Sequence, residues 1–260
     1  MKKTDLKISI FLGLISFAGG FLALQHQIKI ISPEQVEELL AGVPFSWNVL
    51  MLVTALQMLF FGFLLSFVGL KLARKTGFSL NILEALFNKT KVIIDKKSTF
   101  IAIISGVVLG LIIIGADRFY YQYQIPMLGE TKPEFSFLGL MAGIVYGGVF
   151  EEILMRLFFM SLTVWIFMKI LKRDKESISS LFYLIAIILS AVLFAAGHLP
   201  VTETVFEELT NTLVVRSFLL NGIGGLVFGY LYWKKGFEYA VLAHMFAHIS
   251  MQLIFIPIFY

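Results

Sequence analysis

Long apolar runs alternate with short polar ones along the whole of this chain. Seven blocks stand out: Ile8–Leu24, Val49–Leu70, Thr99–Ala116, Phe137–Leu171, Ser179–Gly197, Thr212–Trp233 and Phe237–Tyr260. A helix crossing a hydrocarbon core ~30 Å thick needs about 20 such residues, so each block predicts a transmembrane helix. Lipid and protein interior are both apolar, which hides the periodicity that marks a buried face in a soluble protein. The predicted fold class is all-α, a polytopic transmembrane helix bundle of about seven spans, with eight as the alternative.

The alternative arises from Phe137–Leu171, which would be ~52 Å long at 1.5 Å per residue, too long for one upright crossing. A long tilted or broken helix is the simpler solution, because Gly139, Gly143, Gly147 and Gly148 permit close packing or a bend. With no repeat and no low-complexity linker, residues 1–260 read as a single membrane domain. Three spans and their loops occupy 1–136, and a helical core occupies 137–260.

Charge sets the orientation. Lys2, Lys3 and Lys7 precede the first block, and Lys71, Arg74, Lys75, Lys89, Lys91, Lys96 and Lys97 follow the second. Lys172, Arg173 and Lys175 follow the fourth, and Lys234 and Lys235 the sixth. The intervening loops carry Glu34, Glu37 and Glu38, then Glu130 and Glu134, then Glu203, Glu207 and Glu208. Basic loops stay in the cytoplasm, so the amino terminus is expected inside and the carboxyl terminus outside. Two crossings by the fourth block would reverse the pattern of every later loop. The lysines before Ile8 also suit a signal peptide, but Leu22, Ala23 and Leu24 run into Gln25 and His26 with no small-residue cleavage site. The block is therefore read as a retained span or signal anchor.

Composition narrows the function. The chain is 58% hydrophobic and 15% charged, too little polar surface for a water-soluble fold. The absence of cysteine removes disulfides, thiolate nucleophiles and thiolate metal sites. The net charge of +4 sits in loops beside apolar blocks, a pattern of membrane orientation and not of nucleic-acid binding. Abundant Ile, Phe and Lys hint at an AT-rich bacterial genome, hence a multi-pass protein of the bacterial cytoplasmic membrane. Trp47, Trp233 and the tyrosines near Tyr120 read as interfacial belts, and Gly222, Gly224, Gly225 and Gly229 as close helix packing.

Ionisable residues at membrane depth are costly unless paired or hydrated, so they are functional candidates by default. Glu151, Glu152 and Arg156 lie within the fourth block. Glu152 and Arg156 are four apart on one helix face and can neutralise each other. Glu151 points about 100° away, which leaves it available as a general base. The plain structural alternative is one ion-pair network made of all three. His198 ends the fifth block, and His244 and His248 share a face of the last. Glutamate and histidine converging in a cavity would make a water-activating or a metal site. His26 is read as a loop residue without a role. Arg216, one turn into the sixth span, is read as snorkelling to the interface. No HExxH, GxSxG or GxGD motif is present.

Glu151-Glu152-Ile-Leu-Met-Arg156, Phe194-Ala-Ala-Gly-His198 and His244-Met-Phe-Ala-His248 resemble, in order, the EExxxR, FxxxH and Hxxx(N/D) motifs of the CAAX protease and bacteriocin-processing (ABI) family. The resemblance covers roughly Phe137 to Ile254. It implies that Glu151 activates water, that His198 helps hold it, and that His244 and His248 support the oxyanion, with Glu152 and Arg156 as a structural pair. His248 departs from the usual Asn or Asp, but an imidazole can still donate one hydrogen bond. Metal use has been argued both ways in the family. A divalent ion such as zinc, if present, would be held by Glu151, His198, His244 and His248. The expected function is an intramembrane endopeptidase whose partners are membrane lipids and a peptide or membrane-protein substrate. The alternatives are a non-catalytic immunity or scaffold protein of the same fold and a Glu/His proton-coupled transporter.

Overall fold

The computed structural model describes residues 3–42, 44 and 46–260; Lys2, counted above among the basic residues, lies outside them. Among the described residues every regular element is helical. Seven helices among the described residues are long and apolar enough to cross a membrane: Lys3–Ile30, Trp47–Thr76, Lys96–Tyr123, Phe137–Ile170, Ser180–Phe206, Asn211–Lys235 and Phe237–Phe259. They match the seven apolar blocks one for one, so the alternative of eight is set aside.

Local chemistry fixes the helix ends. Ser32 caps the short helix Pro33–Ala41 in a reciprocal pair with Gln35, with Pro33 at its first turn. Gly77, at φ +83°, ends the second span in a left-handed turn that a side chain would strain. Asp95 caps the third span; hydrogen bonds from Ser98 and the Lys97 N–H hold its carboxyl below the usual carboxylate range.

The spans approach closely wherever a glycine faces a neighbour. A methyl group on Gly13 would stand 3.1 Å from Phe63 of the second span, and one on Gly19 would stand 3.1 Å from the Tyr146 backbone of the fourth. One on Gly225 would stand 2.7 Å from Ala191 of the fifth. The larger core gathers around Leu70, Ile153, Leu157 and Met160 where the second and fourth spans meet.

Ion pairs mark the two ends. Arg74 binds Asp5 at 2.5 Å and Glu84 at 2.9 Å. At the opposite end Arg216 reaches both oxygens of Asp117, at 2.7 and 2.5 Å. That pairing corrects the snorkelling reading: a buried carboxylate 99 residues away takes the charge that water was expected to take. The charge pattern also predicts sidedness. Thr90 and Glu130 are exposed and lie on opposite loops. In intact cells, Glu130→Cys is expected to react with an impermeant maleimide and Thr90→Cys only after permeabilisation. The reverse labelling would invert the bundle.

The fourth span solves its length problem by its winding. Phe137–Ala142 is α-helical, Gly143–Glu151 and Ile153–Met160 are π-helical, and Ser161–Ile170 is α-helical again. A π turn closes from residue i to i+5, a wider coil that advances less per residue, so one continuous element crosses once. The same winding sets what faces inward. In an α-helix Tyr146 and Glu151 would point about 140° apart. In the wider coil residues four and five apart share a face, and Gly143, Tyr146, Gly147 and Glu151 all line one cavity.

Candidate active site

A cavity of about 660 Å³ lies among the spans, with Glu151, His198, His244 and His248 all in its wall. The sequence placed His198 at an outer helix end and Glu151 deeper. The cavity spans that difference, bringing three histidines that lie 47 to 97 positions after Glu151 into one space with it.

Beside it Glu152 and Arg156 are fully buried, 3.2 Å apart, in the expected i,i+4 pair. Arg156 also donates to the Gly225 carbonyl at 3.1 Å and lies over the rings of Phe194 and Phe228, at 4.9 and 5.4 Å. The aromatic faces and the carboxylate together replace the water that a guanidinium would otherwise hold.

The sequence reading missed a second partner of Glu152. Its Oε1 also accepts from His244 Nδ1 at 2.9 Å, across 92 residues. A carboxylate only accepts, so Nδ1 carries the proton and the neutral ring turns a bare Nε2 the other way. That nitrogen faces Glu151 Oε2 at 3.8 Å. Glu151 is thus opposed by an imidazole and not left alone. The two adjacent glutamates bracket one histidine: Glu152 holds its orientation from behind, and Glu151 meets it in the cavity.

The other imidazoles are fixed by different means. His198 Nδ1 donates to the Phe194 carbonyl at 2.8 Å, the contact that the four-residue FxxxH spacing provides, and its Nε2 is left as an acceptor. Phe194 packs edge-on against both His198 and His244, while Phe228 stacks on His244 at 4.4 Å. The His248 ring stacks on His244 at 5.2 Å. It lies where side chains of the fourth span would otherwise be: a methyl on Gly147 would stand 2.7 Å from His248 Nε2. Gly143 and Gly147 are therefore the seat of an imidazole, beyond the packing or bending role expected of them.

His26 needs a correction. The first span runs as helix to Ile30, so His26 is no loop residue and lines the same cavity. The signal was weak: Gln25–Ile30 is polar enough to pass for a loop, although Ala23, His26, Gln27 and Ile30 already have the spacing of one helix face.

The four residues named as ligands for a metal, if one is present, line one cavity without forming a ligand cluster. Catalytic zinc takes three protein ligands. Among the described residues no three His, Asp or Glu side chains are gathered as a metal ion would require. His244 Nε2 and Glu151 offer two donors, so the residues as arranged do not fit such a site.

Fold and site together define a multi-pass membrane protein with a glutamate–histidine cavity inside its helical core. Residues 133–250 match the family model described as type II CAAX prenyl endopeptidase Rce1-like. The match covers the motif-bearing core of this chain, which is similar to that CAAX-protease family, and the first three spans lie outside it. No curated protein and no solved structure matches the chain.

Proposed function

We propose that the protein is an intramembrane endopeptidase of the bacterial cytoplasmic membrane that hydrolyses a peptide bond with water activated by Glu151. The observation that carries this reading is the 3.8 Å approach of Glu151 Oε2 and His244 Nε2 inside the cavity. Two acceptors facing each other so closely suit a molecule that donates to both, as water does. His198, with its Nε2 left as an acceptor, is a further group suited to holding that water.

The steps follow from the groups present. Glu151 takes a proton as the water oxygen bonds to the peptide carbonyl carbon, whose π electrons move to oxygen. The proton passes from Glu151 to His244 Nε2, which makes that ring a donor toward the oxyanion. His248, whose nitrogens are not tied to a carboxylate, is the second donor. When the carbonyl re-forms, the C–N bond breaks and the proton goes to the departing amine. The apolar bundle keeps bulk water away and strengthens each of these contacts.

The test uses purified protein in lipid vesicles with a library of membrane-anchored peptides in heavy-oxygen water. Expected are fragments with one heavy oxygen at the new carboxyl terminus, formed equally before and after dialysis against EDTA. No cleavage of any peptide overturns the peptidase reading in favour of an immunity or scaffold role. Charge movement coupled to a solute would favour a transporter. Activity lost to EDTA and restored by zinc would show that the ligands rearrange around a metal.

A further inference from the structure

We infer that His26, on a span outside the family match, binds the peptide backbone of the substrate in this cavity; the inference rests on the peptidase reading above. Three observations support it.

The first is placement. Ala23, His26, Gln27 and Ile30 form one face of the first span and line the cavity that holds Glu151, His198, His244 and His248. The second is the seat of the ring. Gly139, Gly143, Gly147 and Glu151 recur every four residues along the fourth span. His26 lies over Gly139, where a methyl would stand 2.8 Å from its Cε1 and 3.2 Å from its Nε2. His248 lies over Gly143 and Gly147, and a methyl on Gly147 would also stand 3.4 Å from His244 Nε2. Three imidazoles thus follow one glycine edge that ends at the proposed base, and His26 stands farthest from it.

The third is an unmet need. His26 Nδ1 is shielded from solvent and has no hydrogen-bond partner among the described residues. Nε2 has no protein partner among the described residues either and is not shut off in the same way, so the ring turns an unpartnered nitrogen to the cavity, where a ligand can pair with it. An imidazole carries one donor and one acceptor, as a peptide unit does. A row of imidazoles beside a side-chain-free edge therefore suits an extended backbone whose N–H and C=O groups are not spent in a helix. The substrate class is a chain that is unwound, or unwinds, at the site. His26 holds it several residues from the scissile bond and does not take part in the chemistry.

The test separates binding from catalysis. Binding is read by fluorescence anisotropy of a labelled, membrane-anchored peptide on the Glu151→Gln protein, and KM and kcat are read with Glu151 intact. His26→Phe keeps a ring of similar size without the nitrogens. It is expected to raise both Kd and KM about tenfold, the scale of one lost hydrogen bond, with kcat within about twofold and an unchanged melting temperature. His26→Gln, whose amide sits near the Nε2 position, is expected to recover most of the affinity. An unchanged Kd in His26→Phe overturns the inference. So does a lowered melting temperature that His26→Gln fails to restore, which assigns His26 to packing. Full cleavage by Glu151→Gln would count against the base assignment alone, because the anisotropy arm still reads His26. A wild-type protein that binds no peptide overturns both.

Discussion

Glu152→Gln is expected to destabilise the protein by roughly 3–5 kcal/mol, the scale for removing one partner of a buried ion pair. Glu152 and Arg156 are both fully buried, and Arg156 has no other carboxylate at ion-pair distance among the described residues. The amide keeps the shape, and its carbonyl can still accept from His244 Nδ1. What it removes is the charge opposite a guanidinium that the Gly225 carbonyl and two aromatic rings only partly replace. The loss should appear as poor accumulation in the membrane and a lowered melting temperature in detergent. Adding Arg156→Met should recover part of it, since the stranded charge is the main cost. A Glu152→Gln protein as stable as wild type yet unable to cleave peptide would mean that the two adjacent glutamates have exchanged the roles assigned here.

The spans were readable because a hydrocarbon core sets one demand on every crossing helix, a run of about 20 apolar residues. Membership of the cavity was readable for Glu151, His198, His244 and His248 because apolar surroundings make ionisable side chains conspicuous. Rotation about helix axes was not readable. The same apolar residues serve lipid and neighbour alike, so nothing in the pattern says that Glu152 turns toward His244 or Asp117 toward Arg216, pairs 92 and 99 residues apart. The π winding was also hidden. Spacing rules assume 3.6 residues per turn, whereas Gly143–Met160 is wound almost wholly in the wider coil. The excess length of the fourth block was its only trace. His26 was lost for a different reason: a helix can extend past its apolar stretch, and the Gln and Lys residues around it disguised a turn that reaches the cavity.

Glu151→Gln is expected to lower peptide cleavage by roughly 10²–10⁴-fold, the contribution of a positioned general base, and to leave the fold intact. The contrast with its neighbour is environmental. Glu152 is fully buried against a cation, whereas the Glu151 side chain keeps 18% of its surface exposed, and its partner at ion-pair distance among the described residues is the His244 nitrogen at 3.8 Å. Replacing a carboxylate that is not needed to neutralise Arg156 removes a desolvation cost and strands no opposite charge. The melting temperature should therefore stay near that of the wild type. Catalysis should not survive, because the amide cannot take a proton from water, and its N–H₂ group would donate to His244 Nε2 where the carboxylate only accepts. The comparison that decides is melting temperature and tethered-peptide cleavage for wild type, Glu151→Gln, Glu152→Gln and the double variant. Cleavage by Glu151→Gln at the wild-type rate sinks the assignment of Glu151. A collapse in its stability would mean that the carboxylate helps to hold the bundle together and that Arg156 depends on both glutamates.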